Sequence, residues 1–577
     1  MVLYLLPICA LLVALPICTL AGRALARIAR RRTILSRQDI PYRPSTHWLL
    51  GDGDIFKADV HRAGQEWSRK LDTGIYWRRM LHHSVVVISD PELANQVLDR
   101  SRTPHQIDKP HESMFYHVVD ETTAHPPQEN HLSAATSDPL WRAVRKGTAP
   151  AFSPQNMRSA YPEVARTAQV LARTLARTGP EQPVNIDVAV QCQTFDVIGS
   201  VGFGKVFNAA ADLASEGAAS CHAVEQAAQS VVNNLRNPAN WVPFSKPWRE
   251  HRAKISRVLT VMRNLLQEVH DRGAPDPRDE SLAAHLMRVR DPDGRLLAHA
   301  RQWSELSIFF YAGMETTAHT IAWCIYAICQ HPEVEAKVAA ELAAAGLLAT
   351  PERPQPRCME HADLARLPYL QCVIKESIRL RPVLPILFRR AMKDVQIGPF
   401  LFPEGTILEL HTLAMNTHPK YWERPDDFVP ERWLERDAEY MQSTPMRAAD
   451  TRKSGSKIEI TVNATGRQSM SPPASPDKQD KVKRTLPFGS GARACIGMPL
   501  AQLILPTTIA TLLGQFRFRL ADHMGGSEQV EASQVWRITM QPLHGLYMHC
   551  IPRVPAQAPA GPNVAHCAMP AAASRAA

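Results

Sequence analysis

Apolar positions dominate the start of the chain, and residues 2–22 carry almost no polar side chain. At 1.5 Å of helix rise per residue, a run of ~20 residues crosses the hydrocarbon core of a bilayer. Pro7 and Pro16 would break a helix in water but are tolerated in a spanning one. No Lys or Arg precedes the run, while Arg23, Arg27, Arg30, Arg31, Arg32 and Arg37 follow it without an intervening acid. These flanks predict an uncleaved anchor rather than a signal peptide, with everything beyond Arg23 on the cytosolic side. Ile40-Pro41-Tyr42-Arg43-Pro44 then reads as a short extended strut, because X-Pro steps disfavour helix.

Beyond the strut the periodicity changes. Residues 84–89 are β-branched and follow Gly74-Ile75-Tyr76-Trp77, which together predict a hairpin. Asp90-Pro91-Glu92 marks a helix start, with Asp as cap and Pro in the first turn. From Trp141 to about residue 344 the apolar spacing is mainly helical, as over 161–177 and 251–272, and 307–329 is the longest apolar stretch of the body. A further helix is predicted over Pro368–Leu380, and short strands over Val395–Ile397 and 406–410. Residues 441–484 are rich in Ser, Pro, Lys and Arg and predict a mobile surface insertion. The Ala/Pro-rich residues 554–577 predict a disordered tail.

Composition narrows the class. With 45% apolar and 21% charged residues in 577, wholesale disorder, collagen-like repetition and a multi-span transporter are excluded. A net charge of +10 would suggest nucleic acid. The arginines that follow the apolar run point to lipid headgroups instead. Eleven cysteines without a CxxC pair make neither a disulfide framework nor a zinc site, and fit a reducing compartment.

The richest chemistry lies in Phe488-Gly489-Ser490-Gly491-Ala492-Arg493-Ala494-Cys495-Ile496-Gly497. Backbone N–H groups and a helix N-terminus can keep a cysteine in such a loop ionised. The segment resembles the cysteine loop of the cytochrome P450 superfamily, F-x-x-G-x-R-x-C-x-G, with Phe488, Gly491, Arg493, Cys495 and Gly497 at its fixed positions. The resemblance implies haem b bound at this loop, with the Cys495 thiolate as axial iron ligand. Arg493 is implied as a fork for a propionate, and the glycines at 489, 491 and 497 as clearance for the porphyrin.

Other segments support the likeness. Glu376 and Arg379 in Lys375-Glu376-Ser377-Ile378-Arg379 stand one helical turn apart, where they can pair. They lie upstream of Phe428-Val429-Pro430-Glu431-Arg432-Trp433, and the resemblance implies a structural triad of Glu376, Arg379 and Arg432 behind the thiolate loop. Trp141-Arg142-Ala143-Val144-Arg145 is similar to the family's W-x-x-x-R helix, which implies Trp141 and Arg145 on a haem propionate. Arg389, five residues before Asp394 and next to Arg390, is implied as another propionate ligand.

Ala312-Gly313-Met314-Glu315-Thr316-Thr317 lies within 307–329. Glu315 and His319 would each cost several kcal/mol in lipid, which favours a central buried helix over a second span. The segment resembles the family motif [AG]-G-x-[DE]-T-[TS]. That implies Glu315 and Thr316 as a catalytic acid–alcohol relay on the oxygen-binding side, with Gly313 allowing a local opening of the helix. In the plainer reading Thr316 bonds back to a carbonyl of its own helix. His319 is expected to be packed or hydrogen-bonded rather than catalytic.

The implied fold is mainly α with a small β-rich subdomain and a single N-terminal transmembrane helix. It divides into an anchor over 1–22, a basic, Pro-containing linker over 23–45, a haem-thiolate catalytic domain over 46–553, and the tail. The implied activity is insertion of one atom of O2 into a lipophilic substrate such as a fatty acid, sterol or terpenoid. No flavin-sized second domain is seen, so electrons are expected from a separate NADPH-dependent flavin reductase of the cytochrome P450 reductase type. The expected place is the endoplasmic reticulum membrane, single-pass, with membrane lipid and no nucleic acid among the partners. Substrate contacts are expected from the loop after Ser101, from 221–241 and from the residues after Pro382. Two alternatives stand beside this reading: a same-fold isomerase or dehydratase that consumes no oxygen, and a haem-binding sensor without turnover.

Overall fold

The His299–Gln330 helix is apolar round most of its circumference, so only a surrounded position stabilises it. In the computed structural model it runs through the centre, with Ile186–Val197, Pro368–Leu380 and Met498–Gln515 packed along it. The structure describes residues 2–48, 51–52, 59–110, 130–133, 136–236, 242–434 and 483–555, with 2–17 and 235–236 as backbone only. One large apolar core joins the central helix to Pro154–Thr178, Glu216–Arg236 and Lys246–Asp271.

A smaller β-rich part has its own apolar core. Ile75–Met80 and His83–Ile88 form the expected hairpin. His83–Ile88 pairs in parallel with Ile407–Leu410, which pairs antiparallel with Leu387–Ala391, and that strand with Ile107–Asp108. Asp90 caps Pro91–Val97, its carboxylate accepting from Leu93 N at 2.9 Å. Pro368–Leu380 and Val395–Ile397 have the expected bounds. Two elements were not foreseen. Val184–Asn185, Phe516–Leu520 and Tyr547–Pro552 make a three-stranded sheet, and Gln534–Trp536 pairs with Met540–Pro542 in a hairpin. Val184–Asn185, Gln534–Trp536 and Met540–Pro542 are too short to show a period in sequence, whereas Phe516–Leu520 does alternate and could have been read.

Backbone from Val2 to Ser36 forms one helix, docked on the β-rich part by an Arg30–Asp394 ion pair and by Gln38, which donates to Leu401 O at 2.8 Å. The span expected over 1–22 lies mostly outside the residues whose side chains are described. Among the described residues no helix is long and apolar enough to cross a membrane. The insertion over 441–484, apart from Lys483 and Arg484, and the tail over 554–577, apart from Val554 and Pro555, lie outside the described residues.

Candidate active site

The loop from Phe488 to Gly497 turns beneath the start of Met498–Gln515. Gly489 (φ +67°) and Gly491 (φ +69°) adopt the left-handed conformation that suits glycine. A Cβ on Gly491 would lie 1.9 Å from the Leu98 carbonyl oxygen, so the protein's own backbone demands glycine there. Gly497 differs, with φ −82° and only ordinary contacts for a Cβ, 4.0 Å from Cys495 Sγ. Cys495 N–H donates to Phe488 O at 2.8 Å and closes the loop.

The accessible surface of Cys495 opens into an interior cavity of about 390 Å³, and protein encloses the rest of the side chain. Burial pushes its thiol up. The Gly497 N–H, Arg145, the Met498 N–H and Lys109 pull it back, which is the donor set that favours a thiolate. No other cysteine, and no histidine or methionine, is among the described residues that line this cavity.

Lys109, Arg145, Arg389 and Arg493 line the same cavity. Burial and repulsion from Arg389 lower Arg493 to about 9, and burial lowers Arg389 to about 10. Lys109 falls well below its ordinary value, through burial and then repulsion from Arg493 and Arg389. Buried Asp108 faces them, its carboxylate accepting from the N–H groups of Lys109, Thr136 and Ser137. Backbone carbonyls hold the forks: Arg145 donates to Ala494 O at 2.8 Å, Arg493 to Leu132 O and Ser133 O at 3.1 Å each.

Trp141 is not among the lining residues. Its Nε1 donates to Leu132 O at 3.1 Å, and its ring lies 5.6 Å from the Arg145 guanidinium and 4.8 Å from that of Arg493, so it orients both. Strand alternation separates the two candidate arginines: Arg389 is buried on the cavity side, and Arg390 points to the other face. Lys109 and Asp108 went unrecognised because nothing in their local sequence marks them; only the fold brings them to Arg493.

Ala312, Gly313, Thr316, Thr317 and Thr320 of the central helix line the same cavity as Cys495. Thr316 Oγ1 donates to Ala312 O at 2.9 Å, the back-bond of the plainer reading, while its side chain still lines the wall. Glu315 is not among the lining residues. Adjacent helical residues point about 100° apart, and Glu315 faces the neighbouring flank, where it accepts from Thr539 Oγ1 at 2.6 Å. The helix stays continuous at Gly313, and a Cβ there would come within 2.8 Å of Ile198 Cδ1. Close packing against the end of the Ile198 side chain favours a small residue at this position.

Glu376, Arg379 and Arg432 meet behind the cavity. Arg379 Nε and Nη2 donate to Glu376 at 2.9 and 2.7 Å, and Arg432 Nε at 2.9 Å. Trp433 Nε1 and Val429 N add bonds of 2.8 and 3.0 Å to the same carboxylate. Arg379 also donates to the carbonyl of Asn416, a residue of the cavity wall.

The sequence profile described as Cytochrome P450 matches residues 41–545. The chain belongs to the cytochrome P450 family. Cytochrome P450 76M5 of Oryza sativa subsp. japonica is 28% identical over 414 residues, covering 69% of this chain and 71% of that one. Ent-cassadiene C11-alpha-hydroxylase 1 of the same organism is 28% identical over 419 residues, 70% and 72% of the two chains. Geranylhydroquinone 3''-hydroxylase of Arnebia euchroma is 24% identical over 479 residues, 81% and 85%. The protein is thus a cytochrome P450 monooxygenase, and the family's cofactor is a haem with a thiolate ligand.

The residues present in this P450 fit that group. A thiol backed by N–H donors, a cluster of buried cations in excess over nearby carboxylate, and an apolar slot suit iron, propionates and a porphyrin in turn. Arg493→Leu removes one fork. Haem transfer to apomyoglobin is then expected to quicken about ten- to a hundred-fold, the worth of one charge-assisted hydrogen bond. An unchanged rate would mean that Arg493 holds no propionate.

Proposed function

We propose that this P450 uses haem b, ligated by Cys495, to hydroxylate a terpenoid-like substrate, drawing electrons from a separate NADPH-dependent flavin reductase. The carrying observation is one cavity lined by both the Cys495 thiol and Thr316. Its remaining wall is apolar and aromatic, with Ile308, Phe309, Leu384, Phe388, Trp536 and Ile538, which suits a hydrocarbon skeleton. The names of two relatives, an ent-cassadiene hydroxylase and a geranylhydroquinone hydroxylase, support the same class. The flanks of the apolar run over 2–22 support a single-pass anchor in the endoplasmic reticulum membrane, with residues 46–553 cytosolic as the catalytic domain.

When bound, haem supplies dioxygen activation and insertion of one oxygen atom into a C–H bond. The chain's own part is to hold and move. Arg145, Arg389, Arg493 and Lys109 anchor the carboxylates, with Trp141 orienting two of the forks. Gly497 and Met498 N–H groups stabilise negative charge on Sγ. Thr316 Oγ1 holds a proton at the wall, while Glu315 is turned to Thr539 on another flank of the helix. Phe309, Phe388 and Trp536 exclude water from the substrate side.

With reductase, NADPH and a panel of terpenoid hydrocarbons, oxygen uptake is expected to match product one to one. Thr316→Ala should keep NADPH oxidation but lower product per NADPH by about ten-fold or more. Product formed without oxygen uptake would establish the rearranging alternative instead.

A further inference from the structure

On the flank of the central helix turned away from the cavity lies a buried polar cluster around His319, which is 0% exposed. Thr539 donates its hydroxyl hydrogen to Glu315 Oε1, so His319 Nδ1, 2.7 Å from Thr539 Oγ1, must itself carry a hydrogen. His319 Nε2 accepts from Gln191 Nε2 at 3.2 Å and lies 3.4 Å from Asp187 Oδ1. Gln191 Nε2 donates to the other Asp187 oxygen at 3.2 Å. The charged groups around the imidazole come from four elements: Asp187 from Ile186–Val197, Glu225 from Glu216–Arg236, Glu315 from its own helix, and Arg537 from the C-terminal hairpin. Arg537 interacts with Glu225 and Glu315 and donates to Gln229.

Thr539 belongs to the turn of the hairpin formed by Gln534–Trp536 and Met540–Pro542. Trp323 Nε1 of the central helix donates to Met540 O at 2.9 Å, a second tie. The residues that alternate with Arg537 and Thr539, namely Trp536 and Ile538, form cavity wall, and Trp536 stacks on Phe388 at 6.2 Å between centroids. One face of the turn thus meets the substrate space and the other meets the polar cluster.

We propose that His319 and Thr539 are positioning residues for the substrate wall: an imidazole held between the Gln191 amide and the Thr539–Glu315 pair clamps the hairpin to the central helix and fixes Trp536 and Ile538 in the cavity. The clamp is read from protein contacts alone, and only its effect on substrate rests on the oxygenase reading above.

Hydrogen–deuterium exchange of the haem-loaded full chain reads the clamp directly. Protection of peptides covering 534–542 should be about three- to ten-fold lower in His319→Gln and in Thr539→Val than in the wild type, the worth of one or two hydrogen bonds, and Thr539→Ser should restore it. Soret titration with 4-phenylimidazole should show about three- to ten-fold weaker binding in Thr539→Val, again restored in Thr539→Ser. Wild-type exchange and wild-type affinity in both disrupting variants would overturn the proposal. So would an equimolar zinc or manganese ion in purified protein that is lost in Asp187→Asn, since ligand atoms of Asp187, Glu225 and His319 lie within 4.8 Å of one another. Absence of a thiolate-type carbon monoxide band in the wild type would defeat the oxygenase reading without touching the exchange result.

Discussion

Cys495→Ala is expected to abolish the red-shifted, thiolate-type band of the reduced carbon monoxide complex and to reduce substrate hydroxylation to background. The reason is local and complete. Cys495 is the one cysteine among the described residues on the cavity wall, and no histidine or methionine there can replace it. The Gly497 and Met498 N–H groups, which draw the buried thiol down, lose their acceptor in the variant. A strong electron donor opposite the oxygen site is what favours O–O cleavage, so haem retained by the arginine forks alone would be inert as an oxygenase. Cys495→His sharpens the test. It should keep haem, move the band to the shorter wavelength of imidazole ligation and remain inactive. A variant that kept the thiolate-type band would refute the assignment of Cys495.

Glu376→Gln should cost roughly 3–5 kcal/mol, the usual result of breaking a buried ion pair from one side. The Glu376 carboxylate accepts from Arg379 Nε and Nη2, Arg432 Nε, Trp433 Nε1 and Val429 N, all donors. An amide would turn its own N–H groups against some of them and leave the buried Arg379 and the partly buried Arg432 without a counter-charge. Since whole proteins are stable by only about 5–15 kcal/mol, little holoprotein should accumulate. Urea unfolding of what is recovered should show a clearly lower midpoint, and a midpoint equal to wild type would sink the structural role. The effect should reach the cavity, because Arg379 holds the Asn416 carbonyl in its wall.

The thiolate loop and the Glu376–Arg379 pair could be read from the chain because their geometry is short-range, whereas Arg432, 56 residues beyond Glu376, joined the pair only through the family resemblance. Glu376 and Arg379 are separated by one helical turn, and Cys495 and its N–H donors by two or three residues. The central helix was likewise readable, since a long apolar stretch interrupted by Glu315 and His319 suits neither lipid nor a water-facing surface. What escaped depends on contacts between distant segments. The orientation of Glu315 is set by Thr539, more than two hundred residues later, and Lys109 acquires its role only beside Arg389 and Arg493. The parallel pairing of His83–Ile88 with Ile407–Leu410 has no local signature at all. Gly491, expected as clearance for the porphyrin, is required by the protein's own Leu98 carbonyl.

The two-faced hairpin tip also constrains how this enzyme can diverge. Point changes at Trp536 or Ile538 alter the shape of the substrate space while leaving Arg537 and Thr539 where they are. A change of length has no such freedom. Pairing of Gln534 with Pro542, Val535 with Gln541 and Trp536 with Met540 leaves a three-residue turn, and losing one residue there would exchange the faces. Arginine or threonine would then enter an apolar chamber and an aromatic ring a nest of carboxylates. Descendants of this gene should accordingly explore new substrates here by substitution, with the number of residues between Gln534 and Pro542 held constant.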